Sequence, residues 1–139
     1  MPNDFDSSVC RYISLQPQDD CLLARIEERH LAGIGQHEVL WLAFRDIINA
    51  NTTYNTMLIS FSEVTHLTSL TVSMLLRIKQ LAARQSLNLL LCEMNPGIRK
   101  IFKVLHLDGT MFEIIDSLEY TMAPGRTSPS YHDVFGVLD

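Results

Sequence analysis

Three hydroxyls crowd one short stretch of the chain, Thr68, Ser69 and Thr71. Side-chain hydroxyls so placed can accept a phosphoryl group, or one of them can cap a helix that starts beside them. Just downstream, Ser73, Arg77, Gln80 and Arg84 recur at steps of four, three and four. That spacing lays two cations and two hydrogen-bonding groups along one helix face, which suits either a solvated surface or one that docks a partner. Trp41, next to Leu42 and near Arg45, has a composition found both in cores and at contact surfaces.

The chain offers little to a catalyst. A nucleophile needs a base beside it, and the available pairings, Cys92 or Ser69 with a distant His66 or His106, belong to no motif. Cys92 lies within an apolar run and reads as an inert core thiol. The histidines His30, His37, His66, His106 and His132 show no i, i+4 pairing and read as isolated surface or half-buried residues, so no metal site is expected. Cys10, Cys21 and Cys92 form no C-x-x-C pair, which argues against a disulfide framework and for a reducing compartment. Glycine-rich phosphate cradles and G-x-S-x-G are absent from the sequence. These features predict a protein that is not an enzyme and holds no cofactor.

With 139 residues, 47% hydrophobic and 19% charged, the chain suits one soluble domain with a core of its own. A net charge of −5 is the wrong sign for general nucleic-acid binding. Yet residues 47–103 carry +4, against −4 before and −5 after them, a basic island that suits an acidic partner or anionic ligand and that solubility alone explains about as well. No stretch reaches the roughly 18 apolar residues of a membrane helix, and the first twenty residues lack a signal-type apolar core. Membrane insertion is not expected, and a cytoplasmic location is.

Positioning these residues takes a succession of strands and helices. Residues 11–16 and 22–26 predict a hairpin across the turn-prone 17–20. Apolar positions at helical spacing predict a first helix over 36–51, and the run 57–61 predicts a buried strand with an exit loop over 64–67. A second helix follows, capped by Thr68 or Ser69, with Val72, Leu75, Ile78 and Ala82 facing the core. Residues 89–92 predict a second buried strand, and Asn95 before Pro96 starts a third helix that runs to about residue 105. Residues 111–115 predict a further strand, and Ser117 a last helix. Alternation of this kind implies right-handed crossovers. The fold class expected is α/β: a mostly parallel sheet of four to five strands with an antiparallel strand at the N-terminal edge and about four flanking helices.

Three stretches, MLISFSEVTHLTS, NPGIRKIFKVLHLDG and MFEIIDSLE, resemble the STAS domain, the family of bacterial anti-sigma-factor antagonists and of the cytoplasmic tails of sulfate transporters. The resemblance covers about half the chain, from residue 57 to 120. Beyond Met122, Pro124, Gly125 and Pro129 end regular structure, so one domain is expected over 1–122, with a tail over 123–139 whose apolar residues can dock back. Family members with a phosphoswitch carry Asp-Ser-Ser-Gly after the central strand, the second serine being phosphorylated by a kinase that is also the anti-sigma factor. Matching the motif puts Thr68 at the Asp, Ser69 at the first Ser, Leu70 at the acceptor and Thr71 at the Gly, while Ser60 replaces an Asp common at the strand end.

The resemblance therefore implies a non-catalytic interaction module for a regulatory protein, a kinase-type anti-sigma factor being the family's partner, with a degenerate or shifted phosphoswitch. Ser69, Thr68 and Thr71 are the phosphoacceptor candidates, and Leu70, Ser73, Arg77, Gln80 and Arg84 the partner-binding ones. An accessory or ligand-binding module of an anion or lipid transport system is the alternative, and a homodimer stays open.

Overall fold

In the computed structural model, which describes residues 12–116, β1 (Ile13–Gln18) and β2 (Cys21–Ile26) form the antiparallel hairpin. There follow β3 (His30–Leu31), α1 (Ile34–Ala50), β4 (Thr56–Ser60), β5 (His66–Leu67), α2 (Ser69–Arg84), β6 (Asn88–Cys92), α3 (Pro96–Val104) and β7 (Glu113–Ile115). The main sheet has the order β1-β2-β4-β6-β7, with every pair after the first parallel. Ala24, Ile59, Leu91 and Ile114 lie abreast across it.

Each crossover steps in the same direction along the sheet. A right-handed connection then puts α1, α2 and α3 on one face. Their buried side chains, among them Leu40, Phe44, Leu75, Ile78, Ile98 and Phe102, join the row through Ile59 and Leu91 in a single core. The alternate strand residues point the other way, and Cys21, Leu23, Leu58, Leu90, Cys92 and Ile115 make a second buried cluster. β4 is buried along its whole length, which is why its sequence reads as a continuous apolar run rather than an alternating one.

The helix ends show local chemistry in detail. α1 starts at Ile34, two residues before the expected position, because the Gln36 side chain reaches back to accept from the Ala32 and Gly33 amides at 3.0 and 3.4 Å. α2 ends in a Schellman motif: Leu87 N–H donates to Ala82 O at 2.9 Å and Ser86 N–H to Ala83 O at 3.1 Å, with Ser86 at φ 57°. α3 ends the same way through Leu107 to Phe102 O and His106 to Lys103 O, with His106 at φ 58°.

The last strand begins at Glu113 and not at 111. Up to Phe112 the chain is still turning, since the Met111 and Phe112 amides both donate to Leu107 O and Gly109 sits at φ 84°. Three helices occur among the described residues. The fourth, expected from Ser117, and the tail over 123–139 lie outside them, as does the domain boundary at 122.

Candidate functional site: the start of α2 and its exposed face

The loop that carries the chain from β4 to α2 is tied on two sides. Asn95 caps α3 by accepting from Ile98 N–H at 2.8 Å, and its Nδ2 donates to Val64 O at 3.3 Å. One residue thus starts a helix and holds the neighbouring loop. On the other side, Arg29 O accepts from the Thr65 and His66 amides at 2.8 and 3.0 Å, and β5 pairs with β3. The segments entering α1 and α2 are therefore bound to each other before either helix begins.

Within the first turn of α2 the hydroxyls have different fates. Thr68 is the N-cap, its Oγ1 accepting from Leu70 N–H at 3.3 Å, while its own amide donates to Thr71 Oγ1 at 3.4 Å. Thr71 is fully buried, 2.7 Å from His37 Nε2. His37 Nδ1 lies 2.7 Å from Gly33 O, and a carbonyl can only accept. Nδ1 consequently carries the proton, and Nε2 accepts from the Thr71 hydroxyl. A hydroxyl on an imidazole has the geometry of a nucleophile and its base, but with Thr71 sealed no substrate can reach it. The pair bolts α1 to α2.

The expectation of surface or half-buried histidines thus fails at His37, which is buried because it satisfies a buried hydroxyl. His30 and His66 also meet, with ring centroids 4.6 Å apart across the β3–β5 ladder. No group of three or more metal-type ligands occurs among the described residues.

Ser69 and Leu70 are exposed beside this bolt, Leu70 to 39%. Ser73, Arg77, Gln80 and Arg84 follow along the same helix, all exposed. The Arg77 guanidinium carbon lies 4.1 Å from the ring centre of Trp41 on α1, a cation–π contact. Trp41 is half-buried and packs against the core, in keeping with its packing role.

Ser60 is buried, donating to Glu93 Oε1 at 2.7 Å and accepting from Ser62 N–H at 3.2 Å, so this hydroxyl joins the ends of β4 and β6. Arg99 Nε binds Asp108 at 3.1 Å and its Nη1 binds Asp116. Burial works against that guanidinium's charge, but the hydrogen bonds to Asp116 and Asp108 outweigh it and raise its pKa. Burial, with the nearby Glu93 adding to it against Arg25, pushes the Cys92 thiol up to about 12. Cys21 is raised by burial and by Asp20 and Asp19. Both thiols are therefore poor nucleophiles.

No helix among the described residues is long and apolar enough to cross a membrane. The STAS domain family model matches residues 19–121. No curated protein sequence matches the chain. The fold resembles the anti-sigma factor antagonist SpoIIAA in its unphosphorylated form, with TM-score 0.62, 17% identity and coverage of 77% of this chain and 89% of that one. It is similar also to the phosphorylated form of SpoIIAA from Bacillus, with TM-score 0.58, 17% identity and coverage of 77% and 92%. A Thermotoga maritima protein assigned as an anti-sigma factor antagonist gives TM-score 0.66, 16% identity and coverage of 79% and 91%. A sheet wound in one direction, α2 launched from the end of its central strand and a family match spanning most of the described residues agree: the chain belongs to the STAS domain family.

Proposed function

We propose that the protein is a non-catalytic binding module of the anti-sigma-factor-antagonist type, acting in the cytoplasm on a regulatory protein partner through the start and exposed face of α2. The observation that carries this reading is the pairing of an exposed Leu70 with a buried Thr71 on a turn anchored from both sides. An apolar side chain held outward on a rigid turn is a contact residue, and it cannot accept a phosphate. The phosphoacceptor position is therefore empty of chemistry, and a shifted switch falls to Ser69, since Thr68 serves the cap and Thr71 is sealed. The structural relatives named as phosphorylated and unphosphorylated antagonists support the kind of protein, not the partner.

Phosphate on Ser69 would sit at the positive end of α2 and leave the fold intact while adding about two negative charges to the contact surface. The test is capture of partners from the native organism with mass spectrometry of partners and bait, followed by affinity measurement with Leu70→Asp. A kinase-type partner, bound by the native chain and weakened at least about tenfold by Leu70→Asp, is the expected result. Recovery of transporter components, with Leu70→Asp binding as tightly as the native chain, would replace this reading with that of a transport accessory.

A further inference from the structure

Between α1 and α2 runs a groove of about 330 Å³, lined by Trp41, Arg45 and Asn49 on one side and Arg77, Gln80 and Arg84 on the other. Three guanidinium groups therefore share one depression in a chain whose net charge is −5. Arg45 already has a counterion, Asp46, at 3.1 Å. Arg77 and Arg84 form no ion pair with another described residue. Glu38 is the acidic residue one turn before Trp41 on α1. Among the described residues, Arg77 and Arg84 are thus left without an acidic partner, beside Trp41.

We propose that this groove seats an acidic segment of a protein partner, with Arg77 and Arg84 pairing with its carboxylates and Trp41 packing beneath it. The inference rests on the binding-module reading and names the chemistry of what that module grips. The Arg77 guanidinium carbon is held 4.1 Å from the indole ring centre, which places a cation able to bind a carboxylate through two N–H groups beside Trp41 in the groove. Arg77 and Arg84 stand seven residues apart, about 10 Å along the helix axis at 1.5 Å per residue. To hold a single phosphate, both arginine side chains would have to bend toward one point. Carboxylates seven residues apart on a helix, or three apart on an extended chain, repeat the interval itself. Anionic lipid is a poorer match, because headgroup recognition uses about four to eight basic residues on an outward surface rather than two in a depression.

Trp41 is the sole tryptophan in the chain, so its emission reports occupancy of the groove. The probe is a synthetic helical peptide with glutamates seven residues apart, compared with its glutamine counterpart, inorganic phosphate and phosphatidylglycerol vesicles. A saturable change in emission with the glutamate peptide is expected. Arg77→Gln with Arg84→Gln should weaken it at least about tenfold, and salt near 0.5 M should do the same. Lys100→Gln with Lys103→Gln removes equal charge from α3 and should leave it unchanged.

Equal binding of the glutamine peptide, or a stronger response to phosphate or vesicles, would overturn the proposal. So would no response to the glutamate peptide. The two readings separate cleanly. If the captured partner is sensitive to Leu70→Asp but indifferent to the paired Arg77 and Arg84 changes, the groove inference falls and the module stands. If it is indifferent to both, the module reading falls too.

Discussion

Thr71 and His37 are 34 positions apart in sequence, yet each is buried only because the other is there. A lone imidazole or a lone hydroxyl in that core would leave a polar atom without a partner, at a cost of about 1–3 kcal/mol. His37→Leu and Thr71→Val should each destabilise the fold by that amount in urea titration. The double variant should cost less than the sum, because the second change removes the orphan left by the first. Thr71→Val also removes the acceptor of the Thr68 amide in the turn that carries Ser69 and Leu70, so His37→Leu is the variant that separates a bolt from a binding residue. Sequence spacing gave no hint of this pair: periodicity reports the face a side chain occupies, and not which distant side chain it meets. The same holds for Trp41 and Arg77, each singled out for its own character while their contact follows from the packing of α1 on α2.

At the level of elements, caps and periods were legible wherever the signal is local. Asn95 and Pro96 start α3 where a capping side chain followed by proline should start it, and the apolar positions of α2 face the core. β3 and β5 were not legible, since two residues carry no period and their pairing depends on where α1 and α2 begin. Nor were the two Schellman endings, because their left-handed position is held by Ser86 and His106 and not by the expected glycine. Both residues accept a conformation that L side chains resist. Ser86→Gly and His106→Gly should therefore each raise stability by roughly 0.5–1 kcal/mol, the larger flexibility of the unfolded chain offsetting part of the gain. Thermal unfolding of the two variants checks this, and a loss of stability in either would mean that its side chain contributes more than the strain costs.

Over the whole molecule, the one-directional winding divides the sheet into a helix-bearing face and a second face whose core includes Cys21 and Cys92. The strand order never reverses, so the sheet has no switch-point crevice of the kind that receives small ligands. The second face also sets a response to alkali. Cys92 stays protonated in the folded chain up to about pH 12, whereas an unfolded thiol ionises from its ordinary value of 9.0. The unfolded chain thus binds fewer protons above that value. The stability held below it is lost progressively as pH rises through 9.0 toward 12. Cys92→Ala should lower stability at every pH through lost packing and should flatten its decline over that interval. The slope of unfolding free energy against pH is the readout, and an unchanged slope would place the alkaline transition on other groups.

One consequence of the fully buried β4 reaches beyond stability. The strand that launches the contact turn is also the middle of the sheet, with β2 and β6 hydrogen-bonded along its two edges. Residues 57–60 should therefore expose their amides to exchange only when the whole domain opens, which makes the base of the proposed contact turn as durable as the fold itself. Inherited changes in β4 would accordingly reduce how much protein a cell keeps and not how tightly each surviving copy binds. If α2 binds a partner as proposed, changes at the exposed Leu70 or Arg77 would do the reverse, altering what is recognised more than abundance.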